Sequence, residues 1–230
     1  MKRNLLFYIY PIRGSCWSWH FDRLTEYKEV FTGKRMIVIA KDERTEDIAK
    51  VREQAAALRA QIFEVTNDSK FGELNPFHEH LKYFESVNRD ELLFYAHGKG
   101  VTHTWYRENV LAWANGLYKM NLACPALIDK LAIKYQAIGA LRGKGSHGGG
   151  SWHFSGTFFW LRHDGLFSSP KWRERYADRY GVEGFPGRVI PFERSFCLSP
   201  EGNFGNLYLK KLPAELPDEW LRLLKKQFGV

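Results

Sequence analysis

The chain has 230 residues, 44% hydrophobic and 26% charged, and its 16% of aromatic residues include 8 Trp. This fits one domain with a full core. Three cysteines, Cys16, Cys124 and Cys197, lie far apart with no CxxC pairing, which excludes a disulfide framework and a zinc ribbon. The formal net charge of +8 suits an anionic partner such as a nucleotide diphosphate, a nucleic acid or an anionic membrane face, or else lies spread over a solvated surface. No run of five basic residues forms a nucleic-acid tail.

The apolar run 5–10, ended by Pro11, is too short for a signal sequence or a membrane span and reads as a first core strand in a cytoplasmic protein. Residues 19–31 then carry Phe21, Leu24, Tyr27 and Phe31 at helical spacing. A second buried strand follows at 35–40, a helix at 45–58 and a third strand at 61–65. Asn75 and Pro76 form an N-cap and N1 pair for a helix running to Phe84. Residues 92–96 make a fourth strand. This β-α-β-α-β-α-β order predicts a mostly parallel sheet with helices on both faces, and ligands then sit beyond the carboxyl ends of the strands. That rim holds the segments after Tyr10, Ala40 and Ala96.

The second half reads as a long helix from Tyr106 to Asn121, a shorter one at 125–134, a strand at 135–141 and a glycine-rich stretch at 143–150. A strand at 151–162, a helix at 171–180, an extended stretch at 189–198 and an amphipathic helix at 217–228 complete the chain. No linker divides it, so the whole chain is read as one α/β domain. Residues 1–100 form one half and 101–230 a mixed second half.

Two segments carry chemistry. Tyr95-Ala96-His97-Gly98-Lys99-Gly100 ends a strand and turns through glycines while presenting an imidazole and an ammonium, groups suited to phosphate. An ordinary tight turn with an exposed Lys gives the same letters. In residues 152–160 alternation places Trp152, Phe154, Gly156, Phe158 and Trp160 on one face and His153, Ser155, Thr157 and Phe159 on the other. A half-buried strand facing a cleft has this pattern, and so has a core strand with a wet outer face. The stretch Gly143-Lys144-Gly145-Ser146-His147-Gly148 matches GxGxxG but follows no first strand and opens no helix, which rules out a dinucleotide fingerprint. It reads as a mobile surface loop or a lid. Glu193 stands alone among apolar residues, where burial would raise its pKa and suit it to general-base work; a salt bridge to a nearby Arg is the alternative. Asp164 is a second acid, in a turn context. No HExxH exists, and spacing leaves open whether His97, His103, His147 and His153 converge.

On these residues the chain resembles a family of bacterial and phage glycosyltransferase-like proteins with a GT-A-type fold. The resemblance rests on LLFYAHGKGVTH at 92–103 and WHFSGTFFWLR at 152–162, with Tyr106-Arg107 and the helix through Trp113 between them. Tyr106 stands where the family more usually has Trp, and Phe159 replaces one of two usual Trp. His97-Gly98-Lys99 stands where most such enzymes carry a metal-binding Asp-x-Asp, so a divalent Mn²⁺ or Mg²⁺ is not favoured. The resemblance implies transfer of a sugar from a nucleotide-sugar donor to a hydroxyl of a glycan or other acceptor. His97, Lys99 and the amides around Gly98 and Gly100 would hold the diphosphate, with Arg107 adding charge. Pro11 and Asp42 would lie at base and ribose, His153, Ser155 and Gly156 at the sugar, and Glu193 or Asp164 would be the base. The sequence implies no nucleic-acid partner, no transmembrane segment and at most peripheral membrane contact. A non-catalytic carbohydrate- or nucleotide-binding module, with a carboxylate-free cleft and Glu193 outside, is the main rival, and a nucleic-acid-binding protein the second.

Overall fold

A computed structural model describes residues 1–102, 107–176, 178–200 and 205–230. Tyr106 and His103, singled out above, lie outside the described residues. In the first half β1 (Lys2–Ile9), α1 (Trp17–Glu26), β2 (Arg35–Lys41), α2 (Ile48–Ala56), β3 (Gln61–Thr66), α3 (Leu74–Leu81) and β4 (Glu91–His97) alternate as the sequence implies. The second half comprises α4 (Arg107–Leu122), α5 (Pro125–Ala132), β5 (Ala137–Gly139), β6 (Arg142–His147), β7 (Gly150–Phe154), β8 (Phe159–Arg162), α6 (His163–Phe167), α7 (Phe185–Val189), β9 (Ser195–Cys197) and α8 (Leu216–Phe228).

Seven strands form one sheet in the order β3-β2-β1-β4-β8-β5-β9. Every pairing in it is parallel except those of β8, which runs antiparallel to β4 and β5. This is the mixed α/β architecture expected, with a mostly parallel sheet and helices on both faces. Because strand residues alternate sides, Leu5, Phe7 and Ile9 face one core with α1, α2, α4, α5 and α8, while Leu6 and Tyr8 face another with α3, α6 and α7. Both faces are covered, which is why β1 reads as an unbroken apolar run.

The structure revises several local readings. The segment 151–162 is two strands: Gly156 (φ 97°) and Thr157 (φ 64°) turn the chain between β7, in a hairpin with β6, and β8, in the main sheet. Alternation is lost there, and Trp152, Phe154, Phe158, Phe159 and Trp160 are all buried. The glycine-rich stretch is the hairpin itself rather than a long loop: most of β6, a two-residue turn at Gly148 and Gly149, and the first residue of β7. The helix expected at 171–180 is one 3₁₀ turn, Pro170–Arg173. Helix α3 begins at Leu74 rather than after Asn75, whose side chain instead donates to Asp68.

Candidate active site

A cleft of about 440 Å³ opens at the carboxyl edge of the parallel strands. Tyr10 and Ile12 line it after β1, Asn67 and Asp68 after β3, and His97 through Thr102 after β4. From the second half come Thr157, Arg179, Tyr180, Glu183 and Tyr208. This is where an open α/β sheet offers a site.

The turn after β4 is held from several sides. The amide of Gly98 donates to Tyr8 O, continuing the β1–β4 ladder, and that of Lys99 donates to His97 O. These two amides are therefore engaged within the chain. Gly100 has φ 88°, and a Cβ there would come within 2.6 Å of Val110, so glycine is required. What the turn presents is the side chain of Lys99. It is 8% exposed, and its ammonium lies 3.7 Å from the centre of the Trp113 ring and 5.5 Å from that of Tyr208. Burial pulls its pKa down to about 8, against the upward pull of Glu183 and Glu73. Among the described residues no acid forms an ion pair with it, so the aromatic rings are its immediate support.

Beside it, His97 Nδ1 lies 2.9 Å from Glu73 Oε2, which also accepts from the Tyr95 hydroxyl at 2.6 Å. His97 Nε2 is buried and has no hydrogen-bond partner among the described residues. His97 and Glu73 both line the cleft, and an imidazole paired with a carboxylate is an arrangement suited to proton transfer.

Asp42 sits behind the cleft wall. Its carboxylate accepts from the Tyr10 hydroxyl, from Asn67 at 3.0 Å and from the Arg44 guanidinium at 3.1 Å. Burial alone would raise its pKa, yet these bonds hold it well below the ordinary carboxylate value. Asp42 does not itself line the cleft; it positions three residues that do. Pro11 is not among the residues lining the cleft, and its carbonyl accepts from the Glu46 amide. Arg107 is exposed and donates to Gly14 O at 3.0 Å, tying α4 to the loop after β1 rather than lining the cleft.

His153, Ser155 and Gly156 lie beside the cleft and reach it through Glu183. The Gly156 amide donates to Glu183 Oε1 at 2.8 Å, and His147 Nε2 lies 3.0 Å from Glu183 Oε2. His153 Nε2 is 3.2 Å from Ser155 Oγ, and the His147 and His153 rings are 4.4 Å apart. Of the four histidines whose convergence the sequence left open, the structure pairs these two. Burial would raise the Glu183 pKa, but the bonds from His147 and Gly156, with Lys99 nearby, hold it at about 2, so it stays ionised and is no base.

The two acids expected as bases are placed elsewhere. Glu193 is exposed on a 3₁₀ turn, outside the cleft, so it lacks the burial that would have tuned it. Asp164 is bound by Arg162 and ion-paired to Arg89. Since β8 is antiparallel, with Arg162 opposite Leu92 and Phe159 opposite Tyr95, Asp164 follows its end at the edge of the sheet away from His97. The sequence reading missed Glu73, Glu183, His20 and Tyr208. Glu73 and Glu183 carried no local signal, because neither sits in a motif.

An Asp-x-Asp metal does not fit the turn after β4. That turn brings a buried ammonium and no carboxylate pair, and a divalent cation there meets like charge. The acids Asp68, Glu73 and Glu183 line the cleft together with the cations Arg44, Lys70, Lys99 and Arg179.

No protein-family model matches the chain, and no curated protein matches its sequence. Among solved structures, 4-diphosphocytidyl-2C-methyl-D-erythritol synthase is similar with a TM-score of 0.41 at 13% identity, over 97% of this chain and 98% of that one. A candidate nucleotide-diphospho-sugar transferase from Desulfovibrio desulfuricans gives a TM-score of 0.36 at 12% identity, over 98% of each chain. Likeness this distant carries nothing about chemistry.

Proposed function

We propose that the chain is an enzyme that binds a nucleotide-linked sugar in this cleft and transfers the sugar to an acceptor hydroxyl. The observation that carries the reading is the buried Lys99 ammonium, backed by aromatic rings and open to a cleft at the carboxyl edge of the sheet. A diphosphate is the ligand that satisfies such a charge, and the same charge stabilises the diphosphate as it leaves. Tyr10, Arg44 and Asn67, gathered by Asp42, receive the base and ribose. The His97–Glu73 pair takes the proton of the acceptor hydroxyl as that oxygen bonds to the anomeric carbon and the bond to the nucleoside diphosphate breaks.

The rival is a binding module without catalysis. Exposure of Glu193 is what that reading expects, whereas the carboxylates Glu73 and Glu183 in the cleft are what it does not. Calorimetry with nucleoside diphosphates and the parent nucleosides tests the ligand class. Diphosphates should bind at least about tenfold more tightly than nucleosides, and Lys99→Ala should remove the difference. Equal affinity for both, or none for either, overturns the proposal. Release of nucleoside diphosphate from a nucleotide sugar by the wild type but not by His97→Ala separates enzyme from module.

A further inference from the structure

The hairpin of β6 and β7 meets the segment that follows Tyr180 at a point where three metal-binding side chains converge. His147 is the last residue of β6, His153 lies in β7, and Glu183 comes from 30 residues farther along the chain. One ligating atom of each lies within 4.8 Å of the other two. At that widest spacing three atoms lie about 2.8 Å from a common centre, so each has to move by about 0.7 Å to reach a usual ligand distance near 2.1 Å.

Three features prepare the side chains. Ser155 engages His153 Nε2, and His153 Nδ1 is buried without a hydrogen-bond partner among the described residues. Holding one imidazole nitrogen and leaving the other open is how a ligating histidine is oriented. The Gly156 amide holds Glu183 Oε1, leaving Oε2 turned to His147. Close backbone packing fixes the third feature: a Cβ at Gly148 would fall 1.9 Å from Tyr180 O, and one at Gly184 would fall 1.9 Å from His147 O. Glycines at both positions let the hairpin tip and the Glu183 segment touch, which accounts for part of the glycine-rich stretch that otherwise has no role.

We propose that His147, His153 and Glu183 form a binding site for one divalent transition-metal ion at the edge of the cleft. Two imidazoles and one carboxylate are a donor set for Zn²⁺ or Co²⁺, and a poor one for Mg²⁺, which requires oxygen ligands in octahedral array. The remaining coordination position takes water or an oxygen of an anionic ligand, since Glu183 also lines the cleft. The site does not depend on the identity of any nucleotide donor, and its test uses metal alone.

Chelator-treated wild-type protein is titrated with Zn²⁺, Co²⁺ and Mg²⁺ by calorimetry, with bound metal counted by mass spectrometry. The result expected is one equivalent of Zn²⁺ or Co²⁺ and no binding of Mg²⁺. His153→Ala and Glu183→Gln each weaken Zn²⁺ binding by at least about 100-fold, and Ser155→Ala weakens it by about tenfold. Zn²⁺ binding unchanged in His153→Ala or Glu183→Gln overturns the site, as does a wild type that takes up no equivalent. Should the variants fail to fold, the visible spectrum of Co²⁺ on the wild type decides. Intense bands of a four- or five-coordinate nitrogen and oxygen site support the proposal, and the weak bands of six-coordinate Co²⁺ overturn it.

Discussion

His20 Nε2 donates to the carbonyl oxygen of Lys99 at 2.9 Å, across 79 residues of sequence. The ring is fully buried, and burial pushes its pKa down to about 3, so it is neutral and Nδ1 accepts from the Tyr118 hydroxyl at 3.0 Å. Helices α1 and α4 thus grip the turn after β4 from beneath, and the backbone of Lys99 is fixed while its side chain faces the cleft.

Replacing His20 with Leu keeps the volume and removes both bonds. The Lys99 carbonyl and the Tyr118 hydroxyl are then buried without partners, at a cost of about 3 kcal/mol in unfolding free energy. Urea unfolding of His20→Leu measures it. A change below about 0.5 kcal/mol would show that the grip is incidental.

Stability should fall on mild acidification. Burial depresses His20 to about 3 and His78 and His163 to about 4, against ordinary histidine near 6.5. Between pH 6.5 and those values the unfolded chain takes up protons that the folded chain refuses. The contribution is therefore complete above pH 6.5 and is lost as pH falls towards 4, by up to roughly 1.4 kcal/mol per unit for each group. His147, raised through its bond to Glu183, acts in the opposite sense and offsets part of one. Melting temperatures at pH 7 and 5 test this, and a flat profile contradicts it.

Binding of a nucleoside diphosphate should weaken above about pH 8. An exposed lysine keeps its charge to pH 10, but burial has drawn Lys99 down to about 8, and the anion binds the protonated form. Affinity is then level below pH 8 and falls by up to about tenfold per unit above it. Calorimetry from pH 6.5 to 9.5 reads the slope, which Lys99→Gln abolishes. A wild-type profile level to pH 9.5 refutes the assignment of Lys99.

Glu73 should act through His97 and not on the ligand directly. Glu73→Gln weakens the hold on Nδ1 and the bond from Tyr95, so kcat falls by about 100-fold while KM changes little. The double variant with His97→Ala should be no slower than His97→Ala alone, because the two act as one unit. Additive losses would separate them.

The sequence by itself determined the parallel half. The unbroken apolar runs of β1, β2 and β4, joined by amphipathic helices, admit few topologies, and they place His97 and Lys99 at the ligand-bearing edge. Burial and period are local properties, and residues a few positions apart report them. Strand direction and long-range approach are not local, and these the tertiary structure decided. The reversal of β8 carried Asp164 to the far edge, and the turn at Gly156 and Thr157 split one apparent strand between two sheets. Glu183 reached Gly156 from 27 residues away and Glu73 reached His97 from 24. Such pairings are selected by the packing of whole layers, and no window of neighbouring residues encodes them.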